Sequence, residues 1–263
     1  MIEHETFEVA GTKFIPVLED GDFELNPAAT LTLPSALVCA LSSASYNFSE
    51  QKQAILDALS PFQFVSKVWS IGALAQMLEL DPDITDIVFV GSWFGQQSAM
   101  ACRMVTNLND YQVVLVDKDP EAHRVAQYLL KCDSYHRRAA PTLLNKDIFE
   151  MQFDSGALFV WSGLEHFDDN DVEKFLEKHS ACSFIFQSTD MENDQHGNKA
   201  YEVDDILESV PAGWDSGVIY RGEIECEDLG HRYMMCLRGP GVVVDEPGTD
   251  FDDINDGLDG PNR

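Results

Sequence analysis

The chain has 263 residues, of which 44% are hydrophobic, so it can build one full α/β core with an N-terminal extension. Its formal net charge of −29 disfavours nucleic-acid partners, because such binding depends on Lys and Arg side chains that neutralise phosphates. No apolar run is long enough to span a membrane, and residues 1–5 do not resemble a signal peptide. We therefore expect a cytoplasmic protein with no membrane partner.

The six cysteines are scattered along the chain, and none forms a C-x-x-C pair. Most fall within predicted strands or helices, which indicates buried free thiols in a reducing compartment. A zinc site is not expected from this spacing, and we predict no bound metal. The strong acidity is compatible with high-salt surroundings, with solubility, or with a cationic partner.

The N-terminal region is predicted to form a hairpin followed by a helical cap. Residues 7–17 alternate apolar and polar side chains around Gly11, which is typical of a short hairpin. Helices are predicted to follow over residues 34–45, 49–59 (ending at Ser60 and Pro61) and 68–80. Three aromatic side chains of this region either line an acceptor pocket or belong to the core; they are Tyr46, Phe48 and Trp69.

Two short apolar runs, residues 86–90 and 113–116, are separated by a helix-length segment and predict a parallel βαβ unit. The first run ends in a glycine turn (residues 91–95), and the second ends in Asp117. Ligands of open α/β sheets bind beyond the carboxyl ends of the strands, where glycine lets the backbone approach them. Asp117 follows the glycine turn by about 20 residues, the spacing of an acid that binds ribose hydroxyls. This pattern predicts a nucleoside-containing ligand.

Trp93 narrows the choice of ligand. A dinucleotide site needs G-x-G-x-x-G, because the pyrophosphate lies against the backbone, and Trp93 stands in place of the middle glycine. S-adenosylmethionine has no phosphate and is favoured over NAD. The tryptophan also excludes the G-x-S-x-G elbow of hydrolases, and no G-K-[ST] follows to make a P-loop. The indole either stacks on the cofactor or fills its site, and these alternatives imply opposite functions.

Further predicted strands follow this βαβ unit along the chain. Residues 145–149 are similar to the end of a third strand, and residues 157–167 to a fourth strand with a Leu164-Glu165-His166 turn. Residues 183–187 are similar to a fifth strand, and residues 216–238 to a closing antiparallel pair. With the glycine turn and Asp117, these segments resemble a class I S-adenosylmethionine-dependent methyltransferase. The Gly-Ser-Trp-Phe-Gly turn also resembles methyltransferase-like proteins of phages.

The resemblance implies an α/β fold: a seven-stranded Rossmann-like methyltransferase sheet with an antiparallel last strand and helices on both faces. The implied domains are the N-terminal hairpin and helical cap (1–83), the methyltransferase domain (84–240) and an acidic tail (241–263). We expect the tail to be disordered, because it is rich in aspartate, glycine and proline. The chain departs from the family in its first motif, which lacks the middle glycine and an acid just before the first glycine.

The resemblance also implies which residues contact S-adenosyl-L-methionine. They are Gly91, Ser92, Trp93 and Gly95 in the glycine turn, Asp117 and Lys118 at the ribose, Asp147 and Ile148 at the adenine, and Trp161 after the fourth strand.

Catalytic candidates lie near the strand ends. His166 is the first candidate base, because an imidazole titrates near ~6.5, although the turn that holds it is commonly structural in this family. Glu165 and Asp190 are further candidates, and His196 ranks below them. No N-P-P-[YF] motif follows the fourth strand, so methylation of adenine or glutamine amides by that route is not expected.

We therefore expect a methyltransferase that acts on a small molecule or a protein group. The main alternative is a catalytically degenerate methyltransferase fold that works as a binding or regulatory protein through its acidic surface. A third alternative, an RNA methyltransferase, would use the compact basic group formed by Lys131, Arg137 and Arg138.

Overall fold

A computed structural model describes residues 7–9, 12–14, 60–133, 140–191, 197, 199–226 and 230–242. Near the N-terminus, β1 (Phe7–Val9) and β2 (Thr12–Phe14) form an antiparallel pair where the hairpin is predicted. The helices predicted over residues 34–45 and 49–59 lie outside the described residues, as does the acidic tail beyond residue 242.

A seven-stranded sheet forms the centre of the molecule. Its strands in chain order are β3 (Asp86–Val90), β4 (Gln112–Val116), β5 (Thr142–Leu144), β6 (Ala157–Trp161), β7 (Ser183–Thr189), β8 (Val218–Cys226) and β9 (Gly230–Arg238). Across the sheet they lie in the order β5-β4-β3-β6-β7-β9-β8. Strands β3 to β7 pair in parallel, whereas β9 is antiparallel to both of its neighbours. The predicted Rossmann-like methyltransferase sheet with an antiparallel last strand is confirmed.

The chain changes direction across the sheet at β3. From β3 it moves outward to β4 and β5, and it then returns to the other side of β3 to form β6 and β7. Such a switch point opens a crevice beyond the carboxyl ends of the strands, here between β3 and β6. The central strands are buried on both faces, which explains their near-continuous apolar sequences.

Helices cover both faces of the sheet. Against one face pack α1 (Pro61–Leu80), α2 (Gln96–Met104) and α3 (Pro120–Asp133). Against the other pack α4 (Asp169–Lys178) and a 3-10 helix, Val203–Ser209. Among the described helices, none combines the length and the hydrophobicity that crossing a bilayer requires.

Several element boundaries differ from the predictions. The sequence predicts a helix end at Ser60 and Pro61, but α1 starts there: the Ser60 hydroxyl accepts a hydrogen bond from the Gln63 backbone N–H at 3.3 Å. Serine at the N-cap and proline in the first turn are start signals, because proline lacks the N–H that would stay unpaired there. The third strand, β5, already ends at Leu144, before the residues 145–149 that were predicted to form its end.

Aromatic rings make the core beneath the end of β6 rigid. Trp161 packs edge-on against Phe167, with ring centroids 4.8 Å apart, and against Phe175 at 5.6 Å. Phe159 stacks on Phe184 at 5.2 Å. Such ring pairs contribute roughly 0.5–1.5 kcal/mol each beyond their buried area, so the chain is firmly held where it leaves β6.

Candidate functional site

The glycine turn joins β3 to α2 through three residues in the left-handed conformation. The φ angles are +58° at Gly91, +48° at Trp93 and +75° at Gly95. Trp93 is the one non-glycine residue with positive φ within the described ranges, a conformation that costs roughly 1–2 kcal/mol for an L-residue. Backbone strain of this kind often occurs at functional sites.

The two glycines of this turn serve different needs. A Cβ on Gly95 would lie 3.2 Å from the Cβ of Ala126, so glycine is needed there for close packing against α3, with or without a ligand. A Cβ on Gly91 would meet only the ring of Phe167, at 3.5 Å, an ordinary contact. Gly91 is also exposed, so its backbone is open to a ligand.

Asp117 at the end of β4 holds the glycine turn in place. Its Oδ2 accepts the backbone N–H of Trp93 at 2.6 Å, and its Oδ1 accepts that of Asp119 at 2.8 Å. Burial raises the pKa of Asp117, and these two hydrogen bonds oppose that rise. Each carboxylate oxygen has two lone pairs, so each can accept one further hydrogen bond from a ligand hydroxyl.

The residues predicted at the adenine lie on the adjoining strand end. Asp147 caps the 3-10 helix Ile148–Glu150, and its Oδ1 accepts the Phe149 N–H at 3.1 Å. The Asn145 side chain donates to the Asp117 carbonyl at 2.9 Å, which ties the ends of β4 and β5 together. Lys118 is exposed. The glycine turn, Asp117 and the segment predicted to lie at the adenine thus share one edge of the sheet.

The two tryptophans of the predicted site belong largely to the core. Trp93 is half-buried, and its indole stacks on Phe94 with centroids 4.4 Å apart. Trp161 is fully buried, and its indole N–H has no hydrogen-bond partner among the described residues. With no exposed surface, Trp161 supports the site from inside the core.

Glu165 lies in a buried ion pair. Its Oε1 accepts a hydrogen bond from Arg232 on β9 at 2.9 Å, and the two residues are only 1% and 3% exposed. A carboxylate locked in such a pair positions its surroundings and is poorly suited to act as the predicted base. His166 is exposed beside it, and a Cβ on Gly163 would lie 3.2 Å from its ring.

Asp190 at the end of β7 pairs with His231. Its carboxylate accepts the backbone N–H of His231 at 2.7 Å and lies 2.8 Å from the Nδ1 of the same residue. The pairing lowers the pKa of Asp190 against the opposing effect of burial, and it raises the pKa of His231. Both side chains are partly exposed, so the pair lies at the surface of the protein. His196 lies outside the described residues.

The charges of this ion pair also act on Lys67 of α1, which is half-buried. Burial, reinforced by the charge of Arg232 and opposed by that of Glu165, lowers the pKa of Lys67 to about 7. We call Lys67, Glu165 and Arg232 the charged cluster. Next to Lys67 in the chain, Ser66 of α1 exchanges two hydrogen bonds with Gln187 of β7, at 3.2 and 3.0 Å.

A second set of polar contacts beneath α1 involves Gln97, beside β3. From the start of α2, its side-chain amide donates to the hydroxyls of Ser70 on α1 and Ser162 after β6. Gln97 and Ser70 are buried. Two separate sets of polar contacts therefore lie beneath α1, one at Gln97 and one at Gln187.

Lys67, Arg232 and His231 were not predicted as site residues from the sequence. The one local signal was an arginine within β9, where residues 233–237 are otherwise an uninterrupted run of apolar and aromatic side chains. Of the aromatic pocket candidates, Trp69 is buried and packs against Tyr220 at 6.4 Å, while Tyr46 and Phe48 lie outside the described residues.

The predicted basic group is described only in part. Lys131 lies over the ring of Tyr128 at 5.5 Å, and Arg137 and Arg138 lie outside the described residues. Within the described part of the chain, no group of three metal-binding side chains occurs.

No family model and no curated protein matches the sequence. Similar folds occur in solved structures. The magnesium protoporphyrin IX methyltransferase of Synechocystis PCC 6803, with bound SAM, is 14% identical over 66% of this chain and 80% of that one, with a TM-score of 0.48. The pyocyanin biosynthetic protein PhzM is 13% identical over 82% of this chain and 70% of that one (TM-score 0.45). TrmK of M. capricolum, in complex with S-adenosyl-homocysteine, is 12% identical over 64% and 68% (TM-score 0.43). The fold of this chain is defined by its own strand order and directions.

Proposed function

We propose that the chain binds S-adenosyl-L-methionine at the glycine turn and Asp117 and transfers its methyl group to a small-molecule or protein acceptor. The supporting observation is the meeting of an exposed glycine backbone and a half-buried carboxylate at the switch point of a methyltransferase-type sheet. When bound, the cofactor supplies an electrophilic methyl group. The role of the protein is to align the methyl donor with the acceptor and to exclude water.

The residues at the turn fit such a ligand without phosphate. Asp117 keeps one free lone pair on each oxygen for the two ribose hydroxyls, while its existing bonds to the Trp93 and Asp119 backbones hold it in position. Trp93 presents a bulky side chain where a pyrophosphate would need a bare backbone. An adenosyl ligand is therefore better suited to this turn than NAD.

The test is a thermal melt with S-adenosylmethionine, S-adenosylhomocysteine or NAD. A ligand at about 100 times its Kd adds about 2.7 kcal/mol to native stability, a readily measured shift. We expect shifts with the two adenosyl ligands only. Asp117→Asn should lose them, because an amide cannot accept at both positions. Asp119→Asn, which keeps the neighbouring helix cap, serves as the matched control. Stabilisation by NAD alone would contradict the proposal.

The strain and packing of Trp93 favour a second function, that of a binding or regulatory protein on a degenerate methyltransferase fold. The variant Trp93→Gly separates the two. If the indole blocks the site, the natural protein shows no adenosyl shift and the glycine variant gains one. If the indole is part of the site, the natural protein shows the shift and the variant weakens it.

A further inference from the structure

Ser162 is the first residue after β6 and lies at the crevice between β3 and β6. These strands pair in parallel with Val90 opposite Trp161, so the next residue of each, Gly91 and Ser162, leave the sheet side by side. Gly91 is exposed and Ser162 is half-buried, so neither is sealed inside the core. A ligand that lies along the backbone of Gly91 is therefore within reach of the Ser162 hydroxyl.

A chain of three hydrogen bonds fixes the direction of this hydroxyl. Ser70 on α1 donates its proton to the backbone carbonyl of Lys67 at 2.9 Å, so the Ser70 oxygen is left to accept. It accepts from the side-chain amide of Gln97, which orients that amide with its nitrogen toward the two serines. The same nitrogen donates to the Ser162 oxygen at 2.8 Å. Because Ser162 accepts in this bond, its own proton must point elsewhere.

The proton of Ser162 has no acceptor among the described residues. The bond from Gln97 is the one hydrogen bond that Ser162 makes with them. Gln97 and Ser70, which hold the hydroxyl from behind, are only 8% and 0% exposed. Ser162 can therefore donate to a ligand without giving up a bond within this part of the protein, and its orientation is set before the ligand arrives.

The order of the groups along the sheet edge indicates which part of the ligand reaches Ser162. In the proposed function, on which this inference rests, the adenine lies beside Asp147 after β5 and the ribose lies at Asp117 after β4. The amino-acid part of S-adenosylmethionine then extends across β3 toward β6. It carries a sulfonium, an ammonium and a carboxylate, and of these only the carboxylate can accept a hydrogen bond.

The charges around Gln97 are compatible with a carboxylate. Helix α2 begins at Gln96, and its first turn holds no acidic side chain. The positive end of the helix dipole therefore lies at the residue that holds Ser162. The carboxylate nearest to Ser162 along the chain, Glu165, is neutralised by Arg232 at 2.9 Å.

We propose that the Ser162 hydroxyl donates a hydrogen bond to the carboxylate of S-adenosylmethionine, and that Gln97 and Ser70 are the positioning residues that aim it. The protein thereby distinguishes adenosyl ligands that carry the amino-acid carboxylate from those that lack it. Asp117 and the glycine turn cannot make this distinction, because they lie at the ribose and at the backbone of β3.

The test compares two ligands by calorimetry on the full chain. S-adenosylhomocysteine carries the carboxylate, whereas methylthioadenosine has the same adenosine and sulfur without the amino-acid group. Ser162→Ala should weaken the binding of S-adenosylhomocysteine roughly 10- to 100-fold, the range for one hydrogen bond to a charged group, and leave that of methylthioadenosine unchanged. Ser216→Ala is the control: it makes the same change at an exposed position before β8, at the opposite edge of the sheet, and should affect neither ligand.

Gln97→Glu tests the direction of the hydrogen bonds. A carboxylate can only accept, so Ser162 would donate to it and its proton would no longer be available to the ligand. The new negative charge also repels the ligand carboxylate. S-adenosylhomocysteine should therefore lose at least as much affinity as in Ser162→Ala, while methylthioadenosine keeps its own. A purely structural role of Gln97 predicts equal losses for both ligands and would contradict the proposal.

The remaining outcomes separate this proposal from the proposed function. If both ligands bind the natural protein and Asp117→Asn abolishes their binding, but Ser162→Ala changes neither affinity, the cofactor site stands and the role of Ser162 is wrong. Equal weakening of both ligands by Ser162→Ala also overturns that role. If neither ligand binds the natural protein, the proposed function fails, and the role of Ser162 fails with it.

Discussion

The glycine turn and the charged cluster lie at the same edge of the sheet but are built in different ways. The turn is held by one carboxylate that binds backbone groups: Asp117 accepts the N–H of Trp93, 24 positions away, and that of Asp119, two positions away. The charged cluster depends on side chains brought together over long distances, with Glu165 and Arg232 separated by 67 positions.

This difference affects both stability and recognition from sequence. In a turn held by hydrogen bonds to its backbone, a side chain can be replaced at a modest cost in the free energy of unfolding, and the glycines make the turn recognisable in the sequence. A buried ion pair loses much more when one partner is removed, because the other charge stays behind without water or counter-ion. Substitutions in the two regions should therefore differ in size and in pH dependence.

The largest effect on the free energy of unfolding is expected for Arg232→Met. It leaves the Glu165 carboxylate buried and unpaired, so the free energy of unfolding should fall by roughly 3–5 kcal/mol. The double variant Arg232→Met with Glu165→Gln should recover most of this loss, since no buried charge remains. Urea unfolding at pH 7 measures both. A single variant within about 0.5 kcal/mol of the natural protein would show that the pair is not buried as described.

A smaller effect is expected for Gly95→Ala in the glycine turn. The residue has a φ of +75°, and a new Cβ would lie 3.2 Å from Ala126, so we expect a loss of roughly 1–3 kcal/mol. Gly72→Ala is the matched control: it lies inside α1 with nothing within 4 Å of a new Cβ. Alanine should stabilise the helix there by about 0.5–1 kcal/mol. Chemical denaturation of both variants should give shifts of opposite sign, and a loss in both would contradict the assigned backbone conformations.

The pH dependence of Lys67 comes next. Its pKa is about 7 in the folded state and 10.5 in an unperturbed lysine, so between these values the unfolded chain binds the extra proton. Stability should therefore rise with pH across this window, by up to about 1.4 kcal/mol per pH unit from this group. Lys67→Met removes this pH dependence, so the variant should be more stable than the natural protein at pH 7, and the difference should shrink toward pH 10. Urea unfolding of both proteins at pH 7, 8, 9 and 10 measures their free energies of unfolding. A difference that stays constant with pH would refute the lowered pKa of Lys67.

The smallest effect on stability is expected for the partly exposed pair of Asp190 and His231, in contrast to the buried pair of Glu165 and Arg232. Asp190 hydrogen-bonds to His231 and raises its pKa, with Glu225 and Glu223 adding smaller contributions. The raised pKa implies a contribution to stability that is present below about pH 6.5 and lost as the pH rises through the folded value. In Asp190→Asn, the His231 pKa should move down toward 6.5. An NMR titration of the imidazole checks this, and an unchanged midpoint would exclude Asp190 as the cause.

The positions of β3, β4, β6 and β7 were predictable because their signals, apolar runs bounded by turn residues, are local. Asp117 follows from its position after β4, whereas the order of the sheet came from the family resemblance and the end of β5 was predicted too late in the chain. The start of α1 was missed, although Ser60 and Pro61 form a recognisable cap, because the same pair was interpreted as a stop signal. The burial of Trp161 was missed for another reason: its surroundings come from Phe167, Phe175 and Phe186, on three different elements.

The sequence by itself determined the fold class and the glycine turn with its acid, because hydrophobic periodicity and turn chemistry act between neighbours in the chain. Only the tertiary structure decided that Glu165 pairs with Arg232 in the core, and that Asp190 pairs with His231. Charges and ionisation depend on burial and on distance through space. Neither can be obtained from the spacing of residues along the chain.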